Sequence, residues 1–470
     1  MAETSKRFRT FAEIMADYTF FLRFDSIPAE VVTAVRRHLA DTMACALGAY
    51  DTAAAHAVRR YAFEKGGRAE ATILGTNRKV PAGLAVLVNG TMVRYLDAND
   101  IFVSSRGGPS GHCSDGTPGL LAIAEQYRRG GEEFLTGLVA SYELQGALAE
   151  TFNFWDRGLH MLTNVGWVVP IVAARLMGAT PKEAVHACGL SVATDMVFNT
   201  WLRTTNSIPM IKGVAVGLVL ERALEAAELA VLGVTATEDA LETAITGLVP
   251  RGDPGVVQTR LEQLGKRWTT TRNMIKAYPA QLYTQAAIGA VLHLYHNGIR
   301  AGAVRKLILY GHRNVCGAVQ GSTQAFAPAS REAADHSTPY VMAMALLRGR
   351  LTSQAYDGAP WKTSEIKSVM AKIELVEDRQ YDTAFDTQGI LGVRLVAELT
   401  GGRKEEILVH HPKGHPDAPL SDVELLGKMI WLLEGVAPAH TAKRLLDLCN
   451  CLSTVEHLDQ LIETCNATSP

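Results

Sequence analysis

The residue types best able to move protons fall in two neighbouring segments, Tyr95-Leu96-Asp97-Ala98-Asn99-Asp100 and Ser110-Gly111-His112-Cys113-Ser114-Asp115. Together they hold three carboxylates and an imidazole between two stretches of helical spacing, and loops on a rigid scaffold often carry catalytic groups. Asp97 and Asp100 are three residues apart, so on one helical turn they would share a face, and their repulsion would raise one pKa toward neutrality. The spacing therefore predicts a general base; a solvated turn rich in Asn and Asp is the alternative.

Two lysines stand among apolar residues, in Met210-Ile211-Lys212-Gly213 and in Ile275-Lys276-Ala277-Tyr278-Pro279-Ala280. A strongly hydrated ammonium in such a setting either snorkels along the surface or points into a polar pocket. Snorkelling suits a single lysine, but two similar contexts favour a pocket that binds an anionic ligand. Acid, base and cation together suit a site that moves protons on a polycarboxylate.

Three histidines lie where helices are expected to start or end. His112 follows the glycine-rich stretch 107–111 and precedes a helix predicted near Thr117-Pro118, whose N-terminus favours an anion. His336 precedes another helix start, from which Tyr340 would present its hydroxyl to the same cleft. His160 lies in a gap between helices and, taken alone, reads as a core or capping residue.

Capping explains part of the same pattern without any chemistry. Asp115 is expected to cap the helix that follows it, and Asp335 with Ser337 would make an ordinary N-cap.

Composition excludes several classes of protein. The 470 residues are 47% hydrophobic and carry a net charge of −2, so the chain has the core of a globular protein and no broad positive field for nucleic acid or an anionic membrane. The polar start of the chain and the lack of a ~20-residue apolar run predict a cytoplasmic protein that does not span a membrane. The seven scattered cysteines include one close pair, Cys449-Asn450-Cys451, which lacks the ligand spacing of a zinc or iron–sulfur site. Glycine-rich phosphate loops are likewise missing from the sequence.

Hydrophobic periodicity predicts a mainly α protein. Helical spacing runs from Ala12 to about Gly265, and strands are expected at Lys306–Tyr310, Glu365–Val376, Leu391–Leu399 and Glu405–His410, with a hairpin at Thr400-Gly401-Gly402-Arg403. Helical spacing returns at Gln285–Tyr295, at Asp335–Arg348 and after Ser421. The pattern predicts a helical body, an α+β insertion and a C-terminal helical segment that packs back onto the body.

Several of these motifs resemble the MmgE/PrpD family along nearly the whole chain. Residues 94–100 and 112–115 resemble its Asp-rich segment and its His-Pro-Ser-Asp loop, Gly158-Leu159-His160 its Gly-x-His segment, and Ile275–Ala280 with Gln285 its Lys-x-aromatic-Pro-Ala block. The segments 210–213, 331–340, 376–378 and 412–416 are more similar to the methylcitrate dehydratases of the family than to its decarboxylases or epimerases. The resemblance implies a lyase, specifically a hydro-lyase that dehydrates 2-methylcitrate or a related tricarboxylic hydroxy acid.

The resemblance also implies an architecture. It consists of a large all-helical domain, formed by residues 1–271 and completed by the C-terminal helices 413–470, with an inserted α+β lid domain at 272–412. A homodimer, catalysis with no metal and no organic cofactor, and a small polycarboxylate as the only partner besides the second copy are implied as well.

The family's pocket maps onto residues of this chain, to which we add His336 and Asp100. Expected to be catalytic are Asp97, His112, Lys276 and Tyr340, and expected to bind substrate are His160, Lys212, His336 and Asp100. In this scheme His112, oriented by Asp97, exchanges the proton and Tyr340 protonates the departing hydroxyl, although these two can trade roles. Lys276 also helps Lys212 and His160 to hold the carboxylates.

Four positions depart from the family's pattern, and they keep alternative functions open. Cys113 replaces a proline, Gly116 an asparagine, Ala98 an aromatic residue and Ile211 a tryptophan. The smaller residues imply a reshaped pocket. One alternative is decarboxylation of a cis-aconitate-like acid through a similar carbanion; another is a catalytically silent paralogue that binds a polycarboxylate.

Overall fold

The computed structural model describes residues 9–104, 111–200, 207–248, 254–317 and 321–466. The N-terminal residues 1–7 and most of the glycine-rich approach to His112, at 107–110, lie outside these ranges. Within the described residues the fold is mainly helical with a small α+β part, as the sequence predicts.

The first eleven helices form most of the helical body. They are α1 (Phe11–Phe21), α2 (Ala29–Gly48), α3 (Ala53–Lys65), α4 (Ala82–Tyr95), α5 (Thr117–Gln126), α6 (Gly131–Thr151), α7 (Leu162–Met177), α8 (Pro181–Thr194), α9 (Ile211–Val231), α10 (Ala240–Leu248) and α11 (Pro254–Leu261). Capping boxes begin α1 and α8. Thr10 and Thr180 each accept the amide N–H of the glutamate three residues later, and the side chain of that glutamate accepts the amide N–H of the threonine.

The remaining helices divide between the α+β part and the C-terminal end. They are α12 (Gln285–His296), α13 (Arg313–Cys316), α14 (Arg331–Ala334), α15 (Thr338–Arg348), α16 (Ser364–Met370), α17 (Arg379–Gln388), α18 (Asp422–Leu433), α19 (Thr441–Cys451) and α20 (Asp459–Asn466). A capping box at Ser421 begins α18, the first of the three C-terminal helices.

Eight short strands complete the described fold. They are β1 (Ala71–Thr72), β2 (Lys79–Val80), β3 (Ile101–Phe102), β4 (Asn273–Met274), β5 (Val304–Gly311), β6 (Ile373–Glu377), β7 (Val393–Leu399) and β8 (Lys404–Val409). The last four form one sheet in the order β6-β5-β7-β8, with β5 and β6 parallel and the other pairs antiparallel. The predicted hairpin at 400–403 joins β7 to β8.

One predicted strand is wrong in its first half. The segment 365–370 belongs to α16, and only Ile373–Glu377 is a strand. Thr363 caps this helix by accepting the Ile366 amide N–H, and the buried residues that follow recur at three- and four-residue spacing.

Two large apolar cores account for most of the buried apolar side chains among the described residues. The larger draws on helices before residue 276 and again after residue 419, and the smaller lies between residues 280 and 399 around the four-stranded sheet. The C-terminal helices therefore share a core with the N-terminal ones. Among the described residues, no helix has the length and apolar character needed to cross a membrane.

Close packing of α4 against α9 brings together the helix ends that carry the site. A Cβ added at Gly217 of α9 would lie 2.2 Å from the Leu87 carbonyl oxygen of α4, so only glycine fits there. The C-terminus of α4 leads into the Asp97 segment, and the N-terminus of α9 carries Lys212.

Candidate active site

Asp97 is the centre of a buried network at the end of α4. Its φ of +52° turns the chain out of the helix, and its carboxylate lies between two lysines. Lys276 Nζ is 2.5 Å from Oδ1, and Lys212 Nζ is 2.9 Å from Oδ2. All three side chains are at least 97% buried, so neither lysine snorkels to the surface.

The charges around Asp97 keep it ionised. Burial opposes ionisation, yet the ammonium groups of Lys212 and Lys276 hold the pKa of Asp97 well below its usual range. The pKa of Asp100 is also lowered. The prediction that Asp97 and Asp100 share a helical face and that their repulsion raises one of the two pKa values is therefore wrong, because α4 ends before Asp97 and each carboxylate has its own partners.

Lys212 links this loop to the α+β part of the chain. Its ammonium also lies 2.9 and 3.0 Å from the two carboxylate oxygens of Asp335, which in turn lies 2.5 Å from His336 Nδ1. Asp97, Asp335 and His336 present three ligand-type atoms within 4.8 Å of one another, the spacing of a candidate metal site. The Lys212 ammonium contacts both carboxylates of this group, so a metal ion there would have to displace it.

Two arginines that the sequence did not single out add positive charge. Arg94 Nη1 is 3.2 Å from Asp97 Oδ1 and also donates to Asn99 Oδ1. Arg331 donates to Asp335 Oδ2 at 3.2 Å, and its guanidinium lies over the Tyr95 ring at 4.7 Å. With Lys212 and Lys276, four cationic side chains face the two ionised carboxylates, which leaves the site ready for an anion.

Hydrogen bonds fix the tautomer of His112. Its Nδ1 lies 2.5 Å from the Asp100 carbonyl oxygen, which can only accept, so Nδ1 carries the proton. Burial and the charges of Arg94 and Lys276 hold the pKa of His112 well below its usual range, so the ring is neutral. Its Nε2 therefore offers a lone pair. The partner that orients it is this carbonyl rather than the predicted Asp97 carboxylate.

His160 and His336 are neutral in opposite tautomers. His160 Nδ1 accepts the Leu162 amide N–H, so its Nε2 carries the proton, and burial with the charge of Arg94 lowers its pKa to about 3. Nδ1 of His336 donates to Asp335, and burial with the charge of Lys212 lowers its pKa as well. The site thus combines one imidazole N–H donor with two basic imidazole nitrogens.

Lys276 is an ammonium whose pKa is lower than usual. It is fully buried, and this burial together with the charge of Arg94 lowers its pKa to about 8, although Asp97 opposes the shift. A lysine near this value can give up a proton at neutral pH. We call Arg94, Asp97, His112, His160, Lys212, Lys276, Arg331, Asp335 and His336 the site cluster.

Asp100 belongs to a second network behind the same loop. Its carboxylate accepts from the Ser114 amide and the Tyr142 hydroxyl, and it lies 2.9 Å from His38 Nδ1. Nearby, Lys428 pairs with Asp41, whose charge also acts on Asp100. We call His38, Asp41, Asp100, Ser114, Tyr142 and Lys428 the support cluster. Asp100, expected to bind substrate, is placed here with its oxygens already bonded.

The Tyr340 hydroxyl makes its hydrogen bond outside both clusters. Its ring is buried in the smaller apolar core beside Tyr356 and Trp361, and its hydroxyl donates to the Ala355 carbonyl. Burial raises its pKa further. A hydroxyl so engaged and so weakly acidic is not arranged to protonate a leaving group.

Asp115 does not cap α5 as expected. Its Oδ1 accepts from Asn99 Nδ2, and burial raises its pKa to about 7. The cap of α15 does follow the prediction, because Ser337 accepts the Tyr340 amide N–H. Asp335 is thereby left to contact Lys212 and His336.

Comparisons with known proteins show the family of this chain. Residues 13–249 match the MmgE/PrpD N-terminal domain, and residues 278–454 match the MmgE/PrpD C-terminal domain. Similar proteins include a "2-methylcitrate dehydratase" of Escherichia coli O157:H7, 26% identical over 73% of each chain. Another of that name, from Salmonella typhimurium, is 25% identical over 80% of each chain, and a "Probable 2-methylcitrate dehydratase" of Saccharomyces cerevisiae is 24% identical over 73% of this chain and 70% of its own. The protein belongs to the MmgE/PrpD family.

Proposed function

We propose that this protein is a hydro-lyase that removes water from a tricarboxylic hydroxy acid, 2-methylcitrate or a close relative. The observation that carries the proposal is the buried carboxylate of Asp97 held by Lys212 and Lys276 beside neutral imidazoles. This arrangement gives a cationic pocket with both a base and an acid. Relatives named 2-methylcitrate dehydratase support the choice of substrate class.

The positive groups would hold the substrate's carboxylates. Lys212, Arg94 and Arg331 supply the charge, and the neutral ring of His160 lies among them without adding to it. Charge buried in a low-dielectric site is strongly stabilised by an opposite charge, so a polyanion is bound and the carbanion-like transition state is stabilised.

His112 is the proposed general base. Its Nε2 lone pair, fixed by the bond from Nδ1 to the Asp100 carbonyl, takes a proton from the carbon next to a carboxylate. The electron pair of that C–H bond forms the C=C bond as the neighbouring C–O bond breaks. The bound lysines and arginines offset the charge that develops on the carboxylate.

Lys276 is the proposed general acid, a role the sequence had assigned to Tyr340. Its ammonium, with a pKa of about 8, gives a proton to the departing hydroxide, which leaves as water. Asp97 holds Lys276 in place and favours its protonated form before the reaction.

A product assay tests the proposal directly. Purified protein treated with a metal chelator is given 2-methylcitrate, citrate, isocitrate and cis-aconitate separately, and the products are identified by mass spectrometry. Loss of water from one of the hydroxy acids is expected. Loss of carbon dioxide would make the protein a decarboxylase, and thermal stabilisation by an acid without turnover would make it a binding protein.

A further inference from the structure

We propose that Lys428, on the C-terminal helix α18, is a positioning residue that holds the Asp97 loop in its reactive geometry. The effect on catalysis rests on the proposed function above; the effect on the loop does not. Lys428 is separated from the loop by 330 residues of chain, so only the fold brings them together.

The contacts of Lys428 are short and buried. Its Nζ donates to the Ala98 carbonyl oxygen at 2.7 Å and lies 2.6 Å from Asp41 Oδ1 of α2. Lys428 is 97% buried and Asp41 is fully buried. Burial of an ammonium is unfavourable unless its N–H groups donate hydrogen bonds, and here one of them donates to a backbone carbonyl.

The position of that carbonyl explains what the bond does. Ala98 follows Asp97, whose backbone has a φ of +52°, a conformation that non-glycine residues seldom adopt unless neighbouring contacts impose it. The Ala98 carbonyl belongs to the peptide that joins Ala98 to Asn99, so the bond anchors the chain one residue beyond this turn. Anchored there, the chain keeps Asp97 in its positive-φ conformation and its carboxylate between the two lysines.

The next two residues of the loop are held in the same manner by other elements. Asn99 donates to Asp115, and Asp100 accepts from the Ser114 amide and from Tyr142. Ala98 has only a methyl side chain, so its anchor must act on its backbone. Lys428 provides this anchor from a helix at the opposite end of the sequence.

The test separates positioning from simple stabilisation. Lys428→Met alone leaves Asp41 as an unpaired buried carboxylate and can fail to fold, so the main variant is Lys428→Met/Asp41→Asn, which removes both charges. Asp41→Asn alone keeps the bond to Ala98. Lys443→Met is the matched control, since Lys443 pairs with Asp447 on the surface of α19.

Two measurements are made on each variant. Hydrogen–deuterium exchange of the peptide covering residues 96–104 reports the loop without any substrate, and we expect it to be about tenfold faster in the double variant and unchanged in Lys443→Met. Turnover of the acid identified in the product assay is expected to fall about 100-fold in kcat in the double variant, with a smaller change in KM, because a misplacement of about 1 Å has effects of this size. Asp41→Asn alone should lose much less.

The results are separable. Unchanged exchange in the double variant would overturn the proposal, and so would a normal kcat in an active double variant. A double variant no slower than Asp41→Asn would show that Lys428 serves only to neutralise Asp41. If the wild-type protein converts none of the acids, the proposed function fails, and the exchange measurement alone decides the role of Lys428.

Discussion

The site cluster and the support cluster meet at one four-residue loop, residues 97–100: Asp97 belongs to the first and Asp100 to the second. Both clusters are ionic and largely buried. In the support cluster each carboxylate lies beside its own partners within the protein: Asp100 has the Ser114 amide, Tyr142 and His38, and Asp41 has the Lys428 ammonium 2.6 Å away. In the site cluster the four cations outnumber the two ionised carboxylates, and His112 keeps the lone pair of its Nε2. Buried charge that is balanced by opposite charge within the protein positions a loop, whereas an excess of buried positive charge can bind an anion and transfer protons.

The largest loss of activity should follow replacement of Lys276, which is both the proposed acid and a partner of Asp97. Lys276→Met removes the proposed acid and leaves Asp97 with one fewer ammonium, so kcat should fall by about 10³-fold or more, within the range of general acid catalysis. The measurement is the initial rate of water loss, with Lys443→Met as the control. A loss below about tenfold, too small for an acid catalyst, would show that Lys276 only supports Asp97.

The pH dependence of activity should follow the same lysine. Because the acid must be protonated, kcat/KM should fall as the pH rises through the pKa of Lys276. That pKa is about 8, so kcat/KM should be halved near pH 8 and fall about tenfold for each further unit of pH. A bound polyanion stabilises the ammonium, so the corresponding limb in kcat should lie at higher pH. Activity that rises through this range would mean that neutral Lys276 acts as the base.

The buried imidazoles should make the protein sensitive to acid. His160 has a pKa of about 3 when folded and an ordinary one near 6.5 when unfolded, so between these values the unfolded state binds more protons and stability falls as the pH falls. Between about pH 7.5 and about pH 5.5 this group should cost about 1.4 kcal/mol of unfolding free energy. His160→Gln should remove that share of the acid sensitivity in urea titrations, whereas the same change at the exposed His293 should not. An equal effect at both positions would contradict the account.

The smallest effect is expected at Tyr340. Tyr340→Phe loses the hydrogen bond to the Ala355 carbonyl, which should cost about 1 kcal/mol of stability, while kcat stays within about threefold. Thermal unfolding and turnover of the same preparation check both. A loss of about 100-fold, or nearly 3 kcal/mol in the barrier, would restore tyrosine as the acid.

Sequence patterns predicted the helices and strands better than the contacts between side chains. Hydrophobic periodicity located most of the helices because it is a local pattern, and the capping boxes that the structure shows at Thr10, Thr180 and Ser421 are local as well. At 365–370 a run of mixed residues was assigned to a strand, although Thr363 offered a helix cap.

The site shows the same limit. Local context singled out Asp97, His112, Lys212 and Lys276, and the family resemblance added His160; the structure brings these five together. Local spacing nevertheless gave Asp97 the wrong backbone conformation and the wrong pKa direction. Arg94 and Arg331 were missed because each falls in an ordinary helical segment. Lys428 and His38 could not be found by spacing at all, since their contacts join residues far apart in the chain.

The most direct test of His112 as the general base compares His112→Ala with His293→Ala in the product assay. The substrate is the acid that the wild-type protein dehydrates. His112 is the proposed base, and His293 is exposed on α12. If His112 takes the proton, His112→Ala should dehydrate the substrate about 10²-fold to 10⁴-fold more slowly while it still binds the acid, and His293→Ala should match the wild-type rate. Dehydration by His112→Ala at the wild-type rate would show that another group takes the proton.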